Sequence, residues 1–308
     1  MASWSEYLKP EVIARLAAVG LHSHTAVEGT VSGLHRSPLK GVSPEFDDYR
    51  EYSFGDDLKN LDWRAYARSD RFYIKRYEEE SNLRAWLLVD ASASMKYGRK
   101  GPTKFAQAAT IAACLSAMLI KQRDAAGVTL FDTAGRIDVR PSARRSQLLK
   151  IVDLLEGATP GGKTDLGAVL SATADQMHRR GVVILLSDLL TNLETFYVAL
   201  GKLQHAGHDV LVFHLLDRDE LEFPFDGSVI FRDIEGDEEL FAEPRAFRTA
   251  YRAAMQQFVG DVERRLRVCG IDYLRILTDE DVGEVVSRHF YDRMRRAPLL
   301  HKGRMAAL

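Results

Sequence analysis

Cysteine is scarce in this chain: Cys114 and Cys269 are the only two in 308 residues. Two thiols cannot build a disulfide framework or a cysteine zinc site. Both sit in apolar helical patterns, so both are expected as buried free thiols, which suits a reducing compartment. Neither sign of charge dominates. A formal net charge of −2, from 42 basic and 44 acidic residues, gives no pointer to nucleic acid. Long apolar runs are missing as well. The longest, Ile111 to Ile120, is too short to cross a bilayer. Met1 to Pro10 carries Glu6 and no basic patch ahead of an apolar run, so no signal peptide is readable. The expectation is a soluble cytoplasmic protein without a membrane span. The nine histidines show no H-x-x-x-H spacing, and the nearest approach, His22-Ser-His24, reads as exposed. There is no G-x-S-x-G elbow for a serine nucleophile.

What is present is globular in composition, with 46% hydrophobic and 28% charged residues. The length fits one large domain with an appendage, or two domains. Residues 1–83 are expected as a small helix (Pro10 to Val19) plus a β-rich lobe. Its short strands lie in Phe46–Tyr52 and Arg71–Tyr77, around turns such as Gly55-Asp56-Asp57. From residue 84 strands and helices alternate. Apolar runs at Arg84–Asp90, Val128–Asp132, Val182–Ser187, Val210–Leu215 and Ile271–Leu277 read as strands. Ile137–Val139, after a turn at Ala134-Gly135, reads as an antiparallel edge strand. Helices are expected at 103–123, 142–156, 165–180, 193–205, 244–268 and 280–295. This rhythm predicts an α/β doubly wound, mostly parallel six-stranded sheet of order 3-2-1-4-5-6. It occupies residues 84–298, with an inserted hairpin at about 217–243 around Glu235-Gly236-Asp237 and a tail at 299–308. The acidic run Asp217–Glu222 reads as a solvated loop.

In that strand order the first and fourth strands are neighbours, and ligands of such sheets bind where their carboxyl ends part. Asp90-Ala-Ser92-Ala-Ser94 ends the first strand and Asp188 ends the fourth. The loop Thr159–Asp165 lies on the same edge and offers Thr164. Two carboxylates and three hydroxyls are hard oxygen donors, suited to Mg²⁺, Mn²⁺ or Ca²⁺. Taken alone, Asp-x-Ser-x-Ser is a weak signal, and a strand-end capping turn is the commoner explanation. Its weight comes from the agreement of all five positions.

Asp-x-Ser-x-Ser with a later Thr and a later Asp resembles the metal-ion-dependent adhesion site of von Willebrand factor A domains. The resemblance implies that Ser92, Ser94 and Thr164 ligate the metal directly or through water. It implies that Asp90 and Asp188 act partly through bridging waters, and that a partner's carboxylate completes the shell. Hydroxyl ligands leave the cation under-neutralised, so it attracts such an anion. Over nearly the whole chain a narrower likeness holds. Gly55-Asp-Asp-Leu-Lys-Asn-Leu-Asp62-Trp63-Arg64-Ala-Tyr-Ala-Arg68 looks like the signature of the bacterial family of domain of unknown function fifty-eight. That resemblance implies a partner among the MoxR-type AAA ATPases. Many members of the family carry N-terminal membrane helices, and none is readable here. Asp56, Asp57, Asp62, Trp63 and Arg64 read as structural, with a partner surface as the minority reading.

The expectation is therefore a non-enzymatic protein-protein interaction module that binds Mg²⁺ and engages an acidic residue of a partner, in chaperone-like complex maturation. Two enzyme-like alternatives remain open. Gly157-Ala-Thr-Pro-Gly-Gly-Lys163-Thr164 matches the phosphate-loop pattern G-x-x-x-x-G-K-[ST]. The segment before it, however, has helical rather than strand periodicity, and Pro160 removes a backbone N–H from the cradle. Lys163 then reads as a solvated or partner-facing charge. A metal-dependent phosphohydrolase would start from Asp90, but it lacks the second Asp, at position 92, that would protonate a leaving group.

Overall fold

The computed structural model describes residues 6–21, 41–51, 72–77, 83–99, 101–132, 136–232 and 239–304, with the backbone alone for 41–51, 73–77 and 297–304. The expectations placed on His22-Ser-His24, Gly55–Arg68, Ala134-Gly135 and Glu235-Gly236-Asp237 lie outside the described residues.

Helix α1 spans Pro10–Val19. Strands β1 (Gly41–Glu51) and β2 (Tyr73–Tyr77) pair antiparallel, with a register irregularity near Phe46. The α/β part then runs β3 (Arg84–Asp90), α2 (Lys104–Lys121), β4 (Ala125–Phe131), β5 (Arg136–Ser142), α3 (Ser146–Glu156) and α4 (Leu166–Gln176). It continues with β6 (Val182–Ser187), α5 (Leu193–His205), β7 (Asp209–Leu216), α6 (Arg218–Glu222), β8 (Val229–Arg232) and β9 (Glu239–Ala242). Helix α7 (Pro244–Val268), β10 (Asp272–Leu277) and α8 (Val282–Arg304) follow. Helix α8 runs beyond the expected end at Arg295 and takes in residues 299–304 of the expected tail.

The six-stranded sheet has the order β10-β7-β6-β3-β4-β5. Numbered among themselves, its strands read 6-5-4-1-2-3, the doubly wound order expected from the strand and helix rhythm. All neighbours are parallel except β5, which pairs antiparallel on the edge. A strand covered on both faces needs apolar residues at every position, and β3 shows how they divide. Ala85, Leu87 and Val89 face one core with α1, α2, α3 and α8, while Trp86 and Leu88 face the other with α4, α5 and α7.

The β4–β5 edge depends on one glycine. A Cβ at Gly127 would sit 2.6 Å from the Pro141 nitrogen and 2.7 Å from the Val139 carbonyl oxygen. The β4–β5 register shifts at this point, between Ala126 and Val128. A proline within an edge strand is tolerated at such an irregularity.

Helix α1 packs on α2 and α8, and Val12, Leu16 and Leu21 join the first core. Arg15 forms an ion pair with Asp281 at 2.6 Å. Arg293 of α8, itself buried, pairs with Asp209 of β7 and Asp272 of β10. Helix α2 is the one described helix long and apolar enough to cross a membrane by composition, and 83% of that stretch is buried inside the protein. Cys114 on α2 is buried as expected, but Cys269 is exposed. Cys269 comes just after the last turn of α7, where the apolar stripe has already ended.

Candidate functional site

Parallel register sets the ends of β3 and β6 side by side. Val89 of β3 pairs with Leu186 of β6, so Asp90 and Ser187 leave the sheet side by side. The Ser187 hydroxyl donates to Asp90 Oδ2 at 2.6 Å, and the Ser92 backbone N–H donates to Asp90 Oδ1 at 2.9 Å. Ser94 sits on a single 3₁₀ turn, Ala93–Lys96, and its hydroxyl lies 3.1 Å from that of Ser92. Asp90, Ser92 and Asp188 are fully buried.

The loop from Gly157 to Asp165 joins α3 to α4, so a helix rather than a strand precedes the Gly157–Thr164 pattern. The backbone ties this loop to the Asp90–Ser94 loop. Gly161 N–H donates to the Ala91 carbonyl at 2.7 Å, and Ala93 N–H donates to the Gly162 carbonyl at 2.8 Å. Gly162 has φ +65°, a conformation suited to glycine. The Thr164 hydroxyl oxygen is buried and has no hydrogen-bond partner. A buried hydroxyl without a protein partner is costly and is met by an ordered water, a ligand or an ion.

Asp188 follows β6. The next residue, Leu189, has φ +58°, which a bulky side chain seldom adopts. That bend lets Leu189 N–H donate to the Ser187 hydroxyl at 3.0 Å and Leu190 N–H donate to Asp188 Oδ1 at 3.1 Å. The buried His214 ring stands on the other side, with Nε2 2.9 Å from the Asp188 carbonyl oxygen and Nδ1 2.8 Å from the Tyr273 hydroxyl.

Sequence reasoning missed Lys104. It is the first residue of α2, fully buried, and its Nζ donates to Asp188 Oδ2 and to Glu220 Oε1, both at 2.7 Å. Glu220 belongs to the acidic run expected as a solvated loop. The run instead forms α6, a capped turn in which Asp217 and Asp219 are buried. The Asp217 side chain and the Glu220 side chain close a capping box around its start. One signal for Lys104 was available: a cation at a helix N-terminus opposes the helix dipole, so it needs a compensating anion.

The charges do not balance within the cluster. Asp188 and Glu220 share the Lys104 ammonium, while Asp90 is held by the Ser187 hydroxyl and the Ser92 N–H. Burial, then the Asp188 charge, push the Asp90 carboxyl up to about 6, against hydrogen bonds from Ser187 and Ser92. Burial also raises Glu220, beyond what Lys104 offsets. Burial pulls the Lys104 ammonium down, yet Asp188 and Glu220 outweigh it and the net shift is upward. Among the described residues no group of three or more His, Cys, Asp or Glu is placed to hold a metal. Any cation here relies on hydroxyls, and the donors fit one: an orphan Thr164 hydroxyl, the Ser92–Ser94 pair and an excess of buried carboxylate suit a hard divalent ion.

Ser94, Lys104 and Glu220 also border a cleft of about 470 Å³. Its aromatic wall comes from the segment after α6, where Phe223, with φ +49°, turns the chain toward the β8–β9 hairpin.

The sequence profile described as "Protein of unknown function DUF58" matches residues 48–258, a span that takes in the Gly55–Arg68 segment. An uncharacterized protein of Mycobacterium bovis is 27% identical over 297 residues, covering 95% of this chain and 93% of its own length. An uncharacterized protein of Mycobacterium tuberculosis matches to the same extent. Among solved structures, an aerotolerance-related membrane protein from Bacteroides fragilis is 15% identical, with a TM-score of 0.46, over 70% of this chain and 100% of that one. BatB from Bacteroides thetaiotaomicron gives 15% and 0.43 over the same shares. With its family profile spanning most of the sequence, the chain belongs to the DUF58 family of proteins of unknown function.

Proposed function

We propose that this protein is a non-enzymatic binding module built on a von Willebrand A-like domain. It holds Mg²⁺ among Asp90, Ser92, Ser94, Thr164 and Asp188, with Mn²⁺ or Ca²⁺ as substitutes, and uses the ion to engage a carboxylate of a protein partner. The observation that carries this reading is the buried Thr164 hydroxyl left without a partner, on a loop pinned to the Asp90–Ser94 loop. The ion supplies an electrophilic point that hydroxyl ligands do not neutralise. The chain's own part is to hold the oxygens. Ser187 and Ser92 N–H orient the Asp90 carboxylate, Lys104 and Leu190 N–H fix Asp188, and the two loop-to-loop backbone bonds set Thr164.

From the resemblance of the chain, we name a MoxR-type AAA ATPase as the partner, in a chaperone-like role in complex maturation. On the same reading the protein works in the cytoplasm without a membrane span. Calorimetric titration with MgCl₂ tests the metal. Wild type should bind, and Thr164→Ala should bind about tenfold more weakly, the typical loss of one good oxygen ligand or hydrogen bond to a charge. No heat in wild type, or equal binding in Thr164→Ala, sinks the reading.

Lys104 favours a second reading, in which the cluster is purely structural and the ammonium is its only cation. Under that reading Lys104→Met destabilises the protein and no divalent ion binds to wild type.

A further inference from the structure

The cleft beside the candidate ligands is lined by five aromatic side chains, Tyr97, Phe223, Phe225, Phe231 and Tyr251. Phe223 is buried, stacked on Phe231 (centroids 5.6 Å apart, planes at 22°) and tilted against Tyr251 at 4.3 Å. Phe225 stands edge-on to both Phe223 and Phe231. Leu190, also part of the lining, is 49% exposed. The charged groups at its border are answered within the protein. Lys104 meets Asp188 and Glu220, Asp219 pairs with Arg99, and Arg232 pairs with Glu239. An interior of aromatic walls is complementary to an aromatic side chain.

The cleft is continuous with the ligand cluster at three places. Ser94 belongs to both. Lys104 bridges Asp188 of the cluster and Glu220 of the cleft. Leu190 reaches the cleft two residues after Asp188 and donates its N–H to that carboxylate. A cation flanks the cluster in the chain: Lys96, two residues after Ser94, is exposed. Its sign suits an acidic partner segment.

We propose that the cleft is a second docking point for the same partner segment. The occupant is an extended acidic stretch of protein. Its carboxylate meets the metal, and a large aromatic side chain one or two residues away seats against Phe223, Phe225, Phe231 and Tyr251. This inference rests on the metal-dependent reading above and adds what that reading lacks, a basis for selecting one acidic segment among many. A metal–carboxylate contact alone discriminates poorly, whereas burial of an aromatic ring is a large and shape-dependent gain.

The test uses the full chain with saturating MgCl₂ and blocked peptides. One reads Gly-Gly-Glu-Phe-Gly-Gly, the second replaces Phe with Ala, and the third replaces Glu with Gln. Ligand-observed NMR titration should give at least about tenfold tighter binding for the Glu-Phe peptide than for the Glu-Ala peptide, the expected return from burying one aromatic side chain. The preference should vanish with EDTA and in Phe231→Ala, and the Gln peptide should bind no better than the Glu-Ala peptide. Equal or undetectable binding of the Glu-Phe and Glu-Ala peptides, in protein that calorimetry shows to bind Mg²⁺, overturns the cleft and leaves the metal reading standing. Absence of Mg²⁺ binding in wild type overturns both. Glu-Phe binding that survives EDTA overturns the coupling of cleft to metal. Self-association by sedimentation that Phe231→Ala abolishes assigns the cleft to a second copy of this chain instead.

Discussion

At the scale of single residues, Lys104 is the position on which the site's electrostatics turn. Removing one partner of a buried ion pair leaves the other charge unpaired, which costs about 3–5 kcal/mol. Lys104→Met strands Asp188 and Glu220 together and should lose a comparable amount, read from urea unfolding in EDTA. A loss within error of zero would place the ammonium elsewhere. Two titrating groups should also oppose each other below neutrality. Asp90 is raised from 3.8 to about 6, so the stability it contributes is full below 3.8 and is lost as pH rises through 6. His214 is lowered from 6.5 to about 4, chiefly by burial, so its contribution is full above 6.5 and is lost as pH falls through 4. Between these limits the two slopes, each about 1.4 kcal/mol per pH unit, cancel in metal-free wild type. Asp90→Asn should therefore make stability climb with pH from 4 to 6.5, and His214→Asn should make it fall over 4 to 6. Parallel wild-type and mutant profiles would contradict both assignments. The places of Asp90 and Asp188 were readable because they follow from strand ends. Lys104 was not, because its partners lie 84 and 116 residues away and a lysine after Thr103 reads locally as a solvated helix start.

At the scale of elements, periodicity carried the sheet. Strands buried on both faces read as unbroken apolar runs, and β3 from Ala85 to Val89 and β6 from Val182 to Leu186 do so. The β4–β5 edge was legible as a strand pair but its irregularity was not, because the need for glycine at position 127 arises only when Pro141 is brought against it. Gly127→Ala should cost about 1–3 kcal/mol, the range for overpacking a site that cannot yield, since both nearest groups are backbone or a proline ring. Guanidinium unfolding measures this, and a neutral substitution would mean that the edge strand shifts freely. Helix α6 shows the reverse lesson. Its acidic composition suggested solvent, but the Asp217–Glu220 capping box folds it locally and so delivers Glu220 to Lys104.

At the scale of the whole molecule, a ligand that binds only the folded state raises its stability by about 2.7 kcal/mol at one hundred times its dissociation constant. For a chain of this size that amounts to a rise in Tm on the order of 5 °C. Scanning calorimetry in MgCl₂ against EDTA should show the rise in wild type and none in Asp90→Asn. Identical melting of wild type under the two conditions would remove the metal from the account. Helix α1 fixes another property of the whole. It is seated on α2 and α8, and its Arg15 reaches Asp281, 266 residues further along the chain. During synthesis the ribosome delivers α1 long before the surface it needs exists. Its apolar stripe of Val12 and Leu16 is fully covered only once α8 has been made, so a nascent chain stalled before α8 would present part of that stripe to chaperones.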